Sequence, residues 1–423
     1  MTRRPTIRQC LLAATGLWLA GAAAAAPPLA ESACSGRPVG GGPALVDSVF
    51  RDAALQALHS LVVQAPQRAA HGAIRTHLGS GFVDVQGQAW QQVSAYAVNL
   101  GLLGALAVAP DALPLAADWL RWMARHVATS DPQRGVVPDH WVRSTDQALA
   151  MCPPGLSADR CGDVDAVDSS AASTLLLADA FQRQGGAVAL LREPALRALL
   201  EAAAMAMAQL TDSDGLTLAK PSHPVVYTMD TVEVIAGWRA WARLQRDTYA
   251  QPQSAVNSNT MASRAEAGLR TQLWDPGANA WRVYRGAGAL QRERWYPDTM
   301  AQAWPLLWGA DTGAPGRAAA AWHRAQQPWR KPHWAGRTAD PAGFWWPAAA
   351  VAALCTGDEA AARTWVARAR ARWLDPRAPF DWPFQVSDLL WLLWLAEPPA
   401  PQPTGLAMAR PSHAPPPSAG ETR

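Results

Sequence analysis

The sequence predicts an all-α chain of paired helices, and three observations carry that expectation. Helical periodicity recurs in twelve stretches separated by glycine and proline breakers, while no alternating apolar–polar run is long enough to make a useful strand. The links alternate: those leaving even-numbered helices are often short, and those approaching them are long and rich in aromatic and charged residues. The even helices also tend to be more apolar than the odd ones, as an inner layer covered by an outer one must be.

In chain order, the sequence opens with Arg3, Arg4 and Arg8, an apolar run from Leu11 to Ala20, and small residues from Gly21 to Ala26. Together these are the three regions of a secretory signal, cleaved before Pro27. Residues 1–26 are therefore expected to be a signal peptide and 27–397 the folded domain. Residues 398–423, rich in Pro, Ala and Ser, are expected to be a disordered tail. The chain has 423 residues, 49% hydrophobic and 17% charged, which is ample for a large core. No stretch after the signal is long and uncharged enough to span a bilayer; Leu389–Leu395 and Ala348–Leu354 are far too short. Glu31, three residues before Cys34, breaks the pattern that precedes a lipidated cysteine. The expected location is the periplasm or the exterior.

Cys10 leaves with the signal, and the four remaining cysteines are an even number in an oxidising compartment. Cys152 and Cys161 bracket a Pro-Pro-Gly loop and are expected to pair, leaving Cys34 to join Cys355. Zinc is the poorer reading, because no histidine lies at ligand spacing from either cysteine. The net charge of +3 is too small to argue for nucleic acid, and no glycine-rich phosphate loop appears. No cofactor and no metal site are expected.

The helices are placed at 45–64, 89–107, 112–127, 166–184, 191–210, 229–246, 260–273, 298–309, 315–326, 343–355, 357–374 and 384–396. The approach to the sixth holds the densest chemistry. Ser222-His223-Pro224-Val225-Val226-Tyr227 reads as an ordered loop, and Thr228 or Thr231 can cap the helix that follows. Asp230 and Glu233 then stand three residues apart in its first turns, where the helix dipole favours anions. A capped helix with acidic residues in its first turn is the plain alternative. The same construction recurs, however. Asp139, His140 and Trp141 precede the fourth helix, which Asp165 or Asp168 can cap while lining a cleft. The Asp163–Asp168 cluster could instead bind Ca²⁺, but the glycine and distal glutamate of an EF-hand are missing. Trp295, Tyr296 and Asp298 begin the eighth helix, with Arg292 and Arg294 just before them. Phe344 and Trp345 lead into the tenth helix, and Asp381, between Phe380 and Trp382, leads into the twelfth. That setting can raise a carboxyl's pKa by desolvation.

Tryptophan is the unusual count, 22 against 5 Tyr and 6 Phe. Those inside helices, such as Trp119, Trp238 and Trp391, are most simply core. Those in loops, including Trp141, Trp295, Trp345 and Trp382, either bind something flat, such as a sugar ring, or plug the end of a helical barrel.

Six helical hairpins with elaborate loops at one end resemble the (α/α)6 toroid of the six-hairpin glycosidases. Asp230, Glu233 and Gly237 are similar in spacing to the Asp-x-x-Glu segment, with its following glycine, that holds the general acid in glucoamylase-like enzymes. The resemblance implies a carbohydrate substrate, Glu233 as acid and, by position in the last hairpin, Asp381 as base. Asp168, Asp230 and Asp298 are the reserves. Substrate contacts are expected from the residues at the inner-helix approaches, Asp139, Trp141, Tyr227, Asp230, Trp295, Tyr296, Asp298 and Trp345. The segment Val93-Ser94-Ala95-Tyr96 lies where glycoside hydrolase family eight carries its acid, and lacks the glutamate. Two other functions fit the same scaffold. A polysaccharide lyase or unsaturated uronyl hydrolase would use Tyr227 with His223, or Tyr296 with Arg294; a glycan-binding protein would use the aromatics alone.

Overall fold

The structure, a computed structural model, describes residues 44–79, 81–310, 316–329, 334–336, 340 and 343–396. The signal peptide, Cys34 and the Pro/Ala-rich tail lie outside the described residues.

The described residues contain α1 (Ser48–Leu61), α2 (Ala95–Val108), α3 (Ala112–His126), α4 (Val167–Arg183), α5 (Pro194–Leu210) and α6 (Thr228–Arg243). They continue with α7 (Pro252–Gly268), α8 (Met300–Leu307), α9 (Arg317–Ala325), α10 (Pro347–Cys355), α11 (Glu359–Trp373) and α12 (Leu389–Trp394). A single turn, Val188–Leu191, precedes α5, and π-helical turns extend α6 and α7 and lead into α8. Local chemistry starts several of them. The Asp47 carboxylate accepts from Phe50 N at α1, Asp358 does the same from Ala361 N at α11, and proline opens α5, α7 and α10.

The even helices form a closed ring. Each packs on the next from α2 through α4, α6, α8 and α10 to α12, and α12 packs back on α2. The odd helices α3, α5, α7, α9 and α11 each lie against the even helix that precedes them. The ring is tight because glycine sits where backbones meet. A Cβ on Gly101 of α2 would lie 2.5 Å from the Val386 carbonyl oxygen, and one on Gly237 of α6 would lie 2.7 Å from Ala172 Cβ on α4. Apolar faces follow the same division. α2 and α4 are buried along nearly their whole length, whereas α9 and α11 bury only one stripe. The architecture is therefore a six-hairpin (α/α)6 toroid.

Strands form where the sequence shows no pattern for them. The segment expected to begin the second helix, residues 89–93, is instead a strand. β1 (Phe82–Val83), β2 (Ala89–Val93), β3 (His140–Arg143) and β4 (Leu149–Ala150) make an antiparallel meander in that order, with Gln92 opposite Trp141. Two approach loops thus pair with each other, and the partner is some fifty residues distant in sequence, so a local reading cannot see it. A second ribbon joins β5 (Trp274–Asp275) to β6 (Ala280–Trp281). The seventh helix starts at Pro252 rather than 260, and the twelfth spans Leu389–Trp394, preceded by a 3-10 turn, rather than 384–396. Neither Thr228 nor Thr231 caps α6. Their hydroxyls donate instead to the carbonyls of Arg282 and Tyr227. The Cys152–Cys161 disulfide is formed, with a Cα separation of 4.7 Å, and Cys355 ends α10.

Candidate active site

A cavity of about 680 Å³ opens at the end of the ring where the inner helices begin. All six inner helices reach it: Tyr96 from α2, Ser169 from α4, Glu233 from α6, Trp304 from α8, Pro347 from α10 and Trp391 from α12. Their N-termini converge there, so their dipoles favour negative charge on the floor. The lining carboxyls match: Asp165 before α4, Asp230 and Glu233 on α6, and Asp388 at the start of α12.

Glu233 is the most constrained of these. It is 2% exposed. Tyr96 donates its hydroxyl to Glu233 Oε1 at 2.8 Å, and Trp304 donates its indole N–H to the same oxygen at 2.9 Å. Oε1 is thus held by two donors, which leaves Oε2 to carry a proton. Burial pushes the carboxyl up to about 7, against the pull of those two donors. Burial and the neighbouring Asp168 and Glu233 also raise Asp230 well above the ordinary range. The Ser169 hydroxyl lies near both Glu233 and Asp230 and favours their ionised forms, yet it is not aligned for a hydrogen bond to either.

Asp388 faces this group from the other side. In a ring of six, α12 is diametrically opposite α6. Its Oδ2 accepts from Gln385 N at 3.0 Å, and burial pushes its carboxyl up to about 7. Among the lining residues the basic side chains are Lys220 and His223. The Lys220 ammonium is tied to Asp163 at 2.9 Å and to the Val164 carbonyl at 2.8 Å. His223 Nε2 lies 2.9 Å from the Tyr227 hydroxyl at the rim.

Of the residues expected from sequence, Glu233, Asp230, Tyr227 and Tyr296 meet in this cavity. Asp381 does not. Phe380 and Phe384 turn into the core at 3% and 0% exposure, which leaves Asp381 outward, its Oδ1 accepting from Trp382 N. Asp168 lies behind the floor, fully buried, accepting from the Thr217 hydroxyl at 2.6 Å and from Ser169 N at 2.8 Å. Asp139 accepts from the Gln92 side chain beside the meander, away from the cavity lining, and burial raises it to about 7. Trp141 is buried in the meander, under the edge of Phe82 and the Arg160 guanidinium. Trp295 is buried among Trp322, Trp329 and Trp334. Asp298, also buried, accepts from Gln291 N and lines a smaller neighbouring cavity. Trp345 packs toward Trp365, and it is the next residue, Trp346, that reaches the cavity. Most of these loop tryptophans are therefore buried in the protein and do not line the cavity.

Sequence reasoning missed Tyr96, Trp304, Trp346 and Asp388. For Asp388 a signal exists: Gln385-Val386-Ser387-Asp388 is a capping pattern directly before the apolar run Leu389–Leu395, and the reciprocal bonds of a capping box are present. No local signal marks Tyr96 or Trp304, whose role is a contact across the ring.

The architecture is that of a six-hairpin (α/α)6 toroid. No protein-family model matches the chain, and no curated protein does. Solved structures do. One described as a wild-type glycosidase superposes with a TM-score of 0.53 at 13% identity, covering 82% of this chain and 95% of that one. An alpha-amylase from Clostridium perfringens gives 0.49 at 9% identity, covering 82% and 97%. A mannosylglycerate hydrolase from Thermus thermophilus gives 0.47 at 14%, covering 81% and 99%. At these identities the likeness is one of fold, and the first of the three carries it.

Proposed function

We propose that this protein is an exported glycoside hydrolase in which Glu233 is the general acid and Asp388 the general base, taking the place of Asp381. The observation that carries the reading is Glu233 itself. It is a buried carboxyl in the wall of a sugar-sized cavity, with one oxygen fixed by two donors and a raised affinity for protons, and a second carboxyl stands on the opposite helix. Glycoside hydrolysis needs that pair. Glu233 gives its proton to the glycosidic oxygen as the bond to the anomeric carbon breaks. Asp388 takes a proton from the water that attacks that carbon from the other face. The products are a free sugar and an alcohol, and solvent exchange resets both carboxyls. Helix axes spaced about 8–10 Å apart in a hexagon put opposite axes about 16–20 Å apart. Side chains projecting from Cα atoms about 2.3 Å off each axis then leave room for a sugar ring and a water. Attack by that water inverts the anomeric carbon and requires the two carboxyls to stand about 6.5–9.5 Å apart.

One observation favours a second reading, a lyase acting on uronates: the His223–Tyr227 pair at the rim has the chemistry of a base. A uronate also needs a cation. No arginine lines the cavity among the described residues, and its lysine is held by Asp163. Acids dominate the floor, which supports the hydrolase.

The test is reducing-sugar release from neutral and uronic-acid polysaccharides, followed beside the ultraviolet absorbance of unsaturated uronates, with Glu233→Gln and Asp388→Asn in parallel. Reducing ends without absorbance, lost in both variants, are expected. Absorbance would move the reading to the lyase. Binding without either signal would leave a glycan-binding protein.

A further inference from the structure

This chain hides its aromatic rings. Among the described residues three aromatic side chains are exposed, Tyr284 at 42%, Tyr296 at 47% and Trp382 at 46%. Tyr296 lines the candidate active site, and the other two connect to its wall through ring contacts. Tyr296 lines the cavity and stacks on Trp346, with centroids 5.0 Å apart and planes 18° from parallel. Trp346 meets Phe344 edge-on at 6.4 Å, and Phe344 meets Trp382 at 5.4 Å. A continuous line of rings therefore runs from the cavity wall to a half-exposed indole outside it. Tyr284 connects to the cavity through a different wall residue. Its ring meets Tyr227, a cavity residue, at 6.0 Å, and it lines a neighbouring cavity of about 400 Å³. The two cavities share Tyr227, Val283 and Pro297 as a common wall.

Exposed indole and phenol rings cost free energy in water unless something covers them. Here each is linked to the cavity wall, Tyr296 directly, Tyr284 through Tyr227, and Trp382 through Phe344 and Trp346. A flat apolar ring with a polar edge suits the C–H face and hydroxyl rim of a pyranose. Resting on the hydrolase reading above, we infer that the substrate is a polysaccharide that passes through the cavity and is held on both sides of the bond to be broken. Tyr284 and the 400 Å³ cavity hold one arm, and the Phe344–Trp382 platform holds the other. Cleavage is then internal to the chain. A single closed pocket that accepts one chain end would place no exposed rings outside it, connected through two different wall residues.

The experiment follows viscosity and reducing ends together on soluble hydroxyethyl cellulose, xylan, amylose and chitosan, with wild type, Trp382→Ala and Tyr284→Ala. An internal cutter lowers viscosity steeply while few reducing ends have formed, and its first products are long and mixed. Removing a ring that anchors an arm is expected to lower the ratio of kcat/KM for long chains to that for short oligosaccharides about tenfold. A purely structural role would lower both alike. A single mono- or disaccharide released from the start, with viscosity falling in step with reducing ends, would overturn the inference. So would an unchanged long-to-short ratio in both variants. Should no polymer be hydrolysed, the hydrolase reading fails first, and electrophoresis through gels containing each polymer still tests the surface. Retardation of wild type that weakens in Trp382→Ala and Tyr284→Ala supports the two arms. Equal mobility in every gel rejects them.

Discussion

Replacing Glu233 with glutamine should make the protein more stable at alkaline pH while removing its activity. The folded protein raises this carboxyl from 4.5 to about 7, with burial as the largest cause. Between those two values the native state holds a proton that the unfolded chain has released. The stability linked to that proton is complete below about pH 4.5 and is lost as pH rises through about 7. At about 1.4 kcal/mol per pH unit, the loss reaches up to about 3 kcal/mol by pH 8. The amide of Glu233→Gln cannot ionise, so the variant escapes it. Its oxygen still accepts from Tyr96 and Trp304, and the unaligned Ser169 hydroxyl is available to its NH₂ group. Urea unfolding of wild type and variant at pH 4.5 and pH 8 measures the effect. Asp388 and Asp139 titrate in the same range in both proteins and cancel in the difference, while Asp230, which Glu233 helps to raise, is eased by the substitution and changes the difference in the same direction. The variant is expected to gain up to about 3 kcal/mol over wild type at pH 8 relative to pH 4.5, and to lose about 10²- to 10⁴-fold in hydrolysis. Parallel stability curves would show that Glu233 is not the buried proton holder. Retained hydrolysis would show that it is not the acid.

Asp388→Asn should lower kcat at least about a hundredfold, whereas Asp381→Asn, a surface change, should leave it within about threefold; the reverse result would restore Asp381 as base. The pH profile of kcat/KM should be a narrow bell centred near neutrality, since Asp388 must lose its proton and Glu233 keep one, and both are pushed up to about 7. Tyr96→Phe removes one donor to Glu233 Oε1, which favours the protonated acid. The basic limb should move up by about 0.5–1 pH unit, the difference between charged and neutral hydrogen-bond strengths, and an unmoved limb would deny Tyr96 its positioning role. Gly101→Ala puts a methyl against the Val386 carbonyl where the ring closes and should cost about 1–3 kcal/mol in urea unfolding.

Much of the architecture is legible in the sequence because it is written in local periodicity. The twelve helices, their alternation of long and short links and the more apolar even set depend on residues a few positions apart. So does the pair Asp230 and Glu233, one turn apart on α6, and so does the Cys152–Cys161 disulfide, whose ends lie nine residues apart. What only the tertiary structure decides are contacts between distant segments. The strand at Ala89–Val93 exists because His140–Arg143 pairs with it. Trp141 and Trp295, which in sequence can serve either as sugar-binding platforms or as buried plugs, are drawn inward because neighbouring rings and loops cover them. The second carboxyl follows the same rule. Asp381 and Asp388 sit seven residues apart, but Phe380 and Phe384 take the core and leave Asp381 in solvent, while the turn before α12 sets Asp388 in the lining of the cavity that Glu233 also lines. A sequence shows which residues can carry a proton. Burial on closing the ring selects which of them do, because the free energy of an ionised group is set by the water and charges around it, and those come from every helix at once.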